Sequence, residues 1–160
     1  MHPLTATASQ NLCAELQQEL ITHIPLTRAM QLSVHSYREN ELVLMAPLAP
    51  NINDKGCAFG GSLASMMTLA GWGLVRLGLK RAGYQCDIYV QDSSVQYLAP
   101  VWEDFCTIAT LADGEDWNVF LSSLTERGRA RLLVNCRVPL TDGAIAATLS
   151  AQFVAKAPIK

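Results

Sequence analysis

The chain has 160 residues, half of them hydrophobic and only 16% charged, which excludes a disordered chain and suffices for one domain with a sizeable core. Its formal charge of -2 supplies no basic field for neutralising phosphates, so a nucleic-acid partner is not expected. The five cysteines are scattered, odd in number and without a CxxC pair, and His2, His23 and His35 do not cluster with them, which argues against a disulfide framework or a metal site and for a reducing cytoplasm.

The N-terminal MHPLTATASQ has no charged start followed by an apolar run, so an export signal is not expected. Residues 9–23 place Leu12, Leu16 and Leu20 on one stripe with Ile24 next in step and Pro25 just beyond, which predicts an amphipathic helix stopped by proline. Met30, Leu32 and Val34 then alternate with polar residues, and ELVLMAPL follows Glu39-Asn40, predicting a hairpin of two strands. Residues 60–81 predict a long helix, apolar nearly all round and closed by Lys80, Arg81 and Gly83. It is the one run that could be mistaken for a membrane span, but Ser65, Thr68, Gly71, Gly73, Arg76 and Gly78 interrupt it, and a buried core helix is expected instead.

After that helix, residues 86–99 predict a long strand whose middle (Gln91, Asp92, Ser93, Ser94, Gln96) is too polar for a core without a cavity or interface to face. FCTIATLA predicts another strand. Trp117, Phe120, Leu121 and Leu124 fall on one helical face between an Asp116 cap and Gly128. Alternation over residues 130–138 and 145–153, joined by Thr141-Asp142-Gly143, predicts a final hairpin. The whole chain, residues 1–160, therefore reads as one α+β domain with a sheet wrapped around one long helix.

The stretch NINDKGCAFGGS, residues 51–62, gathers hydrogen-bonding side chains and glycines at the start of that helix. The first N–H groups of a helix lack internal partners and sit at its positive pole, and glycine lets a ligand approach them closely. A carbonyl oxygen placed against the N–H of Gly60 or Gly61 would be polarised there, although the same glycines would also ease packing of the helix on a sheet. Asp54 has two readings as well: a carboxylate of raised pKa acting as a base, or an Asx-type turn residue. Cys57 reads as a small buried thiol. Arg127, Arg129, Arg131 and Arg137, with Arg76, Lys80 and Arg81, form either a basic surface for an acidic partner or an ordinary solvated face.

APLAPNIN (46–53), AFGGSL (58–63), TLAGWG (68–73), YLAPV (97–101) and AQFVAK (151–156) together resemble the hot-dog fold of acyl-thioester enzymes. The likeness runs from about Leu12 to Lys156 and is to thioesterases of the YiiD C-terminal type, some of which are malonyl-acyl carrier protein decarboxylases. It implies a homodimer or dimer of dimers whose sheets join edge to edge, with acyl-pantetheine sites at the subunit interface. The substrate would arrive on the phosphopantetheine of acyl carrier protein or coenzyme A, with no further cofactor.

Many hot-dog thioesterases carry a histidine before the glycine pair and a carboxylate further along the helix, where this chain has Phe59 and Thr68. Hydrolysis needs a positioned base, whereas decarboxylation of a malonyl thioester needs a held carboxylate and donors for the developing enolate. The resemblance makes Asn53 the catalytic asparagine, with the Gly60 and Gly61 amides as oxyanion site, Thr68 as secondary contact and Asp54 as the base of a rival hydrolase. Expected substrate contacts are Asn51, Phe59, Ser62, Met66, Arg129 and Arg131. Three functions stay open at this point: a malonyl-acyl carrier protein decarboxylase, an acyl-thioester hydrolase, and a non-catalytic acyl-binding module.

Overall fold

The structure is a computed structural model that describes residues 4–158; His2 lies outside them. Helix α1 (Ala6–His23) starts at Thr5, whose hydroxyl accepts from the Ala8 N–H, three residues earlier than the sequence pattern suggests. It buries Leu16 and Leu20. Pro25 ends α1 and also opens a second helix, α2 (Pro25–Ala29), because proline at the first helical position gives up only an N–H that would have had no partner. The strand expected from Met30 therefore begins later: Met30 and Leu32 are buried on the turn after α2, and β1 runs Ser33–Arg38.

Strands β1 and β2 (Glu41–Ala46) form the expected hairpin around Glu39-Asn40, with Glu39 at φ +46°. The remaining strands are β3 (Asp87–Tyr97), β4 (Phe105–Leu111), β5 (Arg129–Pro139) and β6 (Ile145–Lys156). All six pair antiparallel in the order β1-β2-β4-β5-β6-β3, which leaves β3 on one edge with its outer rim unpaired. Ala130, Leu132, Val134, Cys136 and Val138 of β5 are buried on one face, and Leu149, Ala151 and Phe153 of β6 join them.

Helix α3 (Gly60–Arg81), with the bounds expected from the sequence, lies across that face. It is long and apolar enough to cross a membrane, but 67% of its apolar window is buried, as a core helix requires. Its glycines are points of close approach. A Cβ at Gly71 would stand 2.7 Å from the Phe153 ring, at Gly73 2.7 Å from Leu42, and at Gly78 2.3 Å from the Trp117 ring. Trp117 opens α4 (Trp117–Arg127), which is capped by Asp116 and ended by Gly128 at φ +68°, as expected. On the other side α1 is tied to α3 by an Arg76–Glu19 ion pair of 3.0 Å and by the Lys80–Glu15 pair, so these two cations serve the helix packing rather than a free basic face.

Candidate active site at the tip of the central helix

The loop between β2 and α3 is built outward from Asn51. A 3₁₀ turn (Ala49–Asn51) puts its side chain into the protein at 2% exposure, where Nδ2 donates to Met30 O (2.9 Å) and Pro47 O (2.8 Å). Its carbonyl accepts from the Phe59 N–H at 2.7 Å, so Asn51 fixes both ends of the loop. Expected as a substrate contact, Asn51 has both amide protons engaged by backbone, and its buried Oδ1 has no partner among the described residues.

Residues 53–57 close a smaller ring inside that loop. The Asn53 N–H donates to Cys57 O at 2.8 Å, and Gly56 N–H returns to Asn53 O at 3.2 Å with Gly56 at φ +87°. The half-buried Asn53 side chain is held at both ends: Oδ1 accepts from the Lys55 N–H at 2.8 Å and Nδ2 donates to Cys57 Sγ at 3.2 Å. The Asx turn considered for Asp54 is thus made by Asn53. Asp54 is 78% exposed and pairs with the exposed Lys55 at 3.0 Å, outside the ring.

Helix α3 begins with Phe59 as N-cap and no side-chain cap. The N–H groups of Gly60, Gly61 and Ser62 have no hydrogen-bond partner among the described residues, which leaves three donors at the positive end of a 22-residue helix. Two aromatic rings flank them. The Phe59 ring lies over Gly61, where a Cβ would meet it at 2.3 Å, and the Tyr97 ring lies 3.3 Å from the Cβ position of Gly60, with its hydroxyl donating to Gly60 O at 3.2 Å. A side chain at Gly61 would force the Phe59 ring to move, and one at Gly60 would crowd Tyr97. Around them Ile52, Phe59, Tyr97, Leu98 and Trp102 are all more than half exposed, and Ala58 N–H ties the loop to Val101 O at 2.8 Å.

Four other expected contacts stand elsewhere. Thr68 is eight residues along α3 from Gly60, roughly 12 Å at helical rise, and its hydroxyl donates to Ala64 O. Met66 is fully buried in the core and presents no surface to a ligand. Arg129 and Arg131 begin β5 on the exposed face, opposite the face that packs on α3, and Arg131 Nε donates to Gln91 Oε1 at 2.8 Å. The α3 tip adjoins the other end of the sheet, where Tyr97 pairs with Ala147, so about 23–30 Å of strand separates these arginines from that end in one chain. The sequence reading missed Cys57 as an acceptor and Tyr97 as a wall of the site. Tyr97 carried a signal, since it opens the YLAPV segment directly after the polar strand.

Chemically the α3 tip offers three uncharged backbone N–H donors beside apolar walls, and the loop leading to it carries the Asn53 carboxamide, one proton of which has no partner among the described residues. Such a set suits a carbonyl oxygen that gains negative charge. The structure is similar to that of a protein of unknown function from Chlorobaculum tepidum, with TM-score 0.88, 28% identity and coverage of 96% of this chain and 100% of that one. It is also similar to a candidate thioesterase from Shewanella oneidensis, with TM-score 0.82, 31% identity and coverage of 93% and 99%. At 10% identity the E. coli PaaI protein of the phenylacetic acid degradation operon shares the fold, with TM-score 0.67 over 92% of this chain and 95% of that one. Residues 13–157 match the model of the family described as "Putative thioesterase (yiiD_Cterm)". The fold is the hot-dog fold, and the chain belongs to this thioesterase-like YiiD C-terminal family.

Proposed function

We propose that the protein decarboxylates malonyl-acyl carrier protein to acetyl-acyl carrier protein and carbon dioxide, supplying starter units for fatty acid synthesis in the cytoplasm. The observation that carries this reading is that the side chains lying on the α3 tip among the described residues, Phe59 and Tyr97, include no histidine or carboxylate, while three backbone N–H donors there lack partners. Phe59 and Thr68 stand where a hydrolase of this fold would hold its histidine and carboxylate, and Asp54 faces solvent. The thioester oxygen would rest against the Gly60 and Gly61 N–H groups, with Asn53 Nδ2 as a further donor. The bond from C2 to the carboxylate breaks, its electron pair moves into the enolate on that oxygen, carbon dioxide leaves, and C2 takes a proton from water. Each donor that strengthens toward the enolate is worth roughly 2.7 to 4 kcal/mol in comparable sites. The group is delivered on phosphopantetheine, and no other cofactor enters.

A second copy of the chain completes the site in this reading. Antiparallel pairing of two free β3 edges about a two-fold axis between Ser93 and Ser94 would set the exposed Val90 of one copy against Tyr97 of the other. Hydrolysis is the rival reading, favoured by the thioesterase description of the family. The test offers pure protein malonyl, acetyl and longer acyl thioesters on both carriers and records thiol and carbon dioxide separately. Carbon dioxide without thiol supports decarboxylation, thiol without carbon dioxide supports hydrolysis, and saturable binding with neither product leaves an acyl-binding module.

A further inference from the structure

We infer that Cys57 is a positioning residue for Asn53, acting as the hydrogen-bond acceptor that turns one amide proton inward and leaves the other for the ligand. The inference rests on the reading of Asn53 as a donor to the thioester.

An asparagine amide is nearly symmetric in shape, so its orientation must come from its partners. Here the Lys55 backbone N–H only donates, and the atom that faces it at 2.8 Å must be Oδ1. Nδ2 then faces Cys57 Sγ at 3.2 Å. Sulfur accepts one of its two protons, and the second has no partner among the described residues. Cys57 is well placed for this because the Asn53 N–H to Cys57 O bond, at 2.8 Å, fixes the backbone on which the thiol is carried. Cys57 is 7% exposed, which shields the contact from water. Sulfur is a weak acceptor: it orients the amide while leaving Nδ2 free to strengthen its other bond as charge builds on the substrate.

A packing role and an acceptor role rank replacements in opposite order. Valine conserves the apolar volume and cannot accept, whereas serine keeps an acceptor at the cost of a smaller, more polar group. As positioning residue, Cys57→Ser retains most of the activity, while Cys57→Val and Cys57→Ala lose roughly 10- to 100-fold in kcat with KM changed about twofold or less, the scale expected for a misplaced catalytic group. The second readout is independent of turnover: in nitrogen-15-labelled protein the Asn53 side-chain N–H pair exchanges with solvent faster in Cys57→Val than in Cys57→Ser. Valine equal to or better than serine in kcat overturns the inference, as does an Asn53 amide indifferent to the residue at 57. Should the wild-type protein turn over none of the thioesters, the functional reading fails, and the exchange measurement alone still decides whether Cys57 orients Asn53.

Discussion

At Asn53 the polar groups that close the loop also aim the side chain. Lys55 N–H donates to the oxygen and Cys57 accepts from the nitrogen, so one carboxamide proton is left without a partner among the described residues. Asn53→Ala therefore lowers kcat by roughly 10²- to 10³-fold, the usual cost of losing one donor to a developing oxyanion, while Asp54→Asn, altering an exposed pair, changes it less than about twofold. Steady-state kinetics on both variants checks the contrast, and the reverse order would move the chemistry to the carboxylate. The sequence makes Asn53 and the glycine pair visible through their crowding in NINDKGCAFGGS. It does not separate Asn53 from Asp54 as the turn residue, because both side chains make Asx turns. Nor does it reveal Cys57, since a thiol acceptor has no characteristic spacing.

Helix α3 was readable as an element because its apolar residues run through a full 22 positions between a glycine pair and a basic end. What its composition hid was the purpose of its inner glycines. By helix propensity Gly78→Ala should stabilise by about 1 kcal/mol. In the fold a Cβ there would stand 2.3 Å from the Trp117 ring, which is buried and hydrogen-bonded through Nε1 to Asn40 Oδ1 at 2.8 Å. We expect Gly78→Ala to destabilise by roughly 1–3 kcal/mol, as overpacking does. Urea unfolding reads the sign directly, a lower midpoint at unchanged slope being the expected outcome. The start of β1 and the existence of α2 escaped the sequence pattern, because Pro25 was read as a stop when it also starts a helix.

For the whole molecule, the sheet order brings the last strand between β5 and β3, a pairing between segments far apart in sequence that no local periodicity encodes. The anomaly of β3 was visible in the sequence, and its polar middle lies exposed on both faces of an edge strand. An unprotected edge of this length invites a partner strand. If a second copy pairs there, Val90→Glu, harmless on the exposed edge of one chain, shifts the assembly toward monomer and lowers turnover with it; light scattering after gel filtration reads the mass. A wild-type monomer, or a Val90→Glu dimer of unchanged affinity, would count against the paired edge. The central claim is that neutral donors at the α3 tip stabilise an enolate formed by loss of carbon dioxide. Its most direct test follows a malonyl thioester labelled with carbon-13 in the free carboxyl. Equal amounts of labelled carbon dioxide and intact acetyl thioester, with no free thiol, are predicted. Free thiol appearing together with labelled malonate would contradict it.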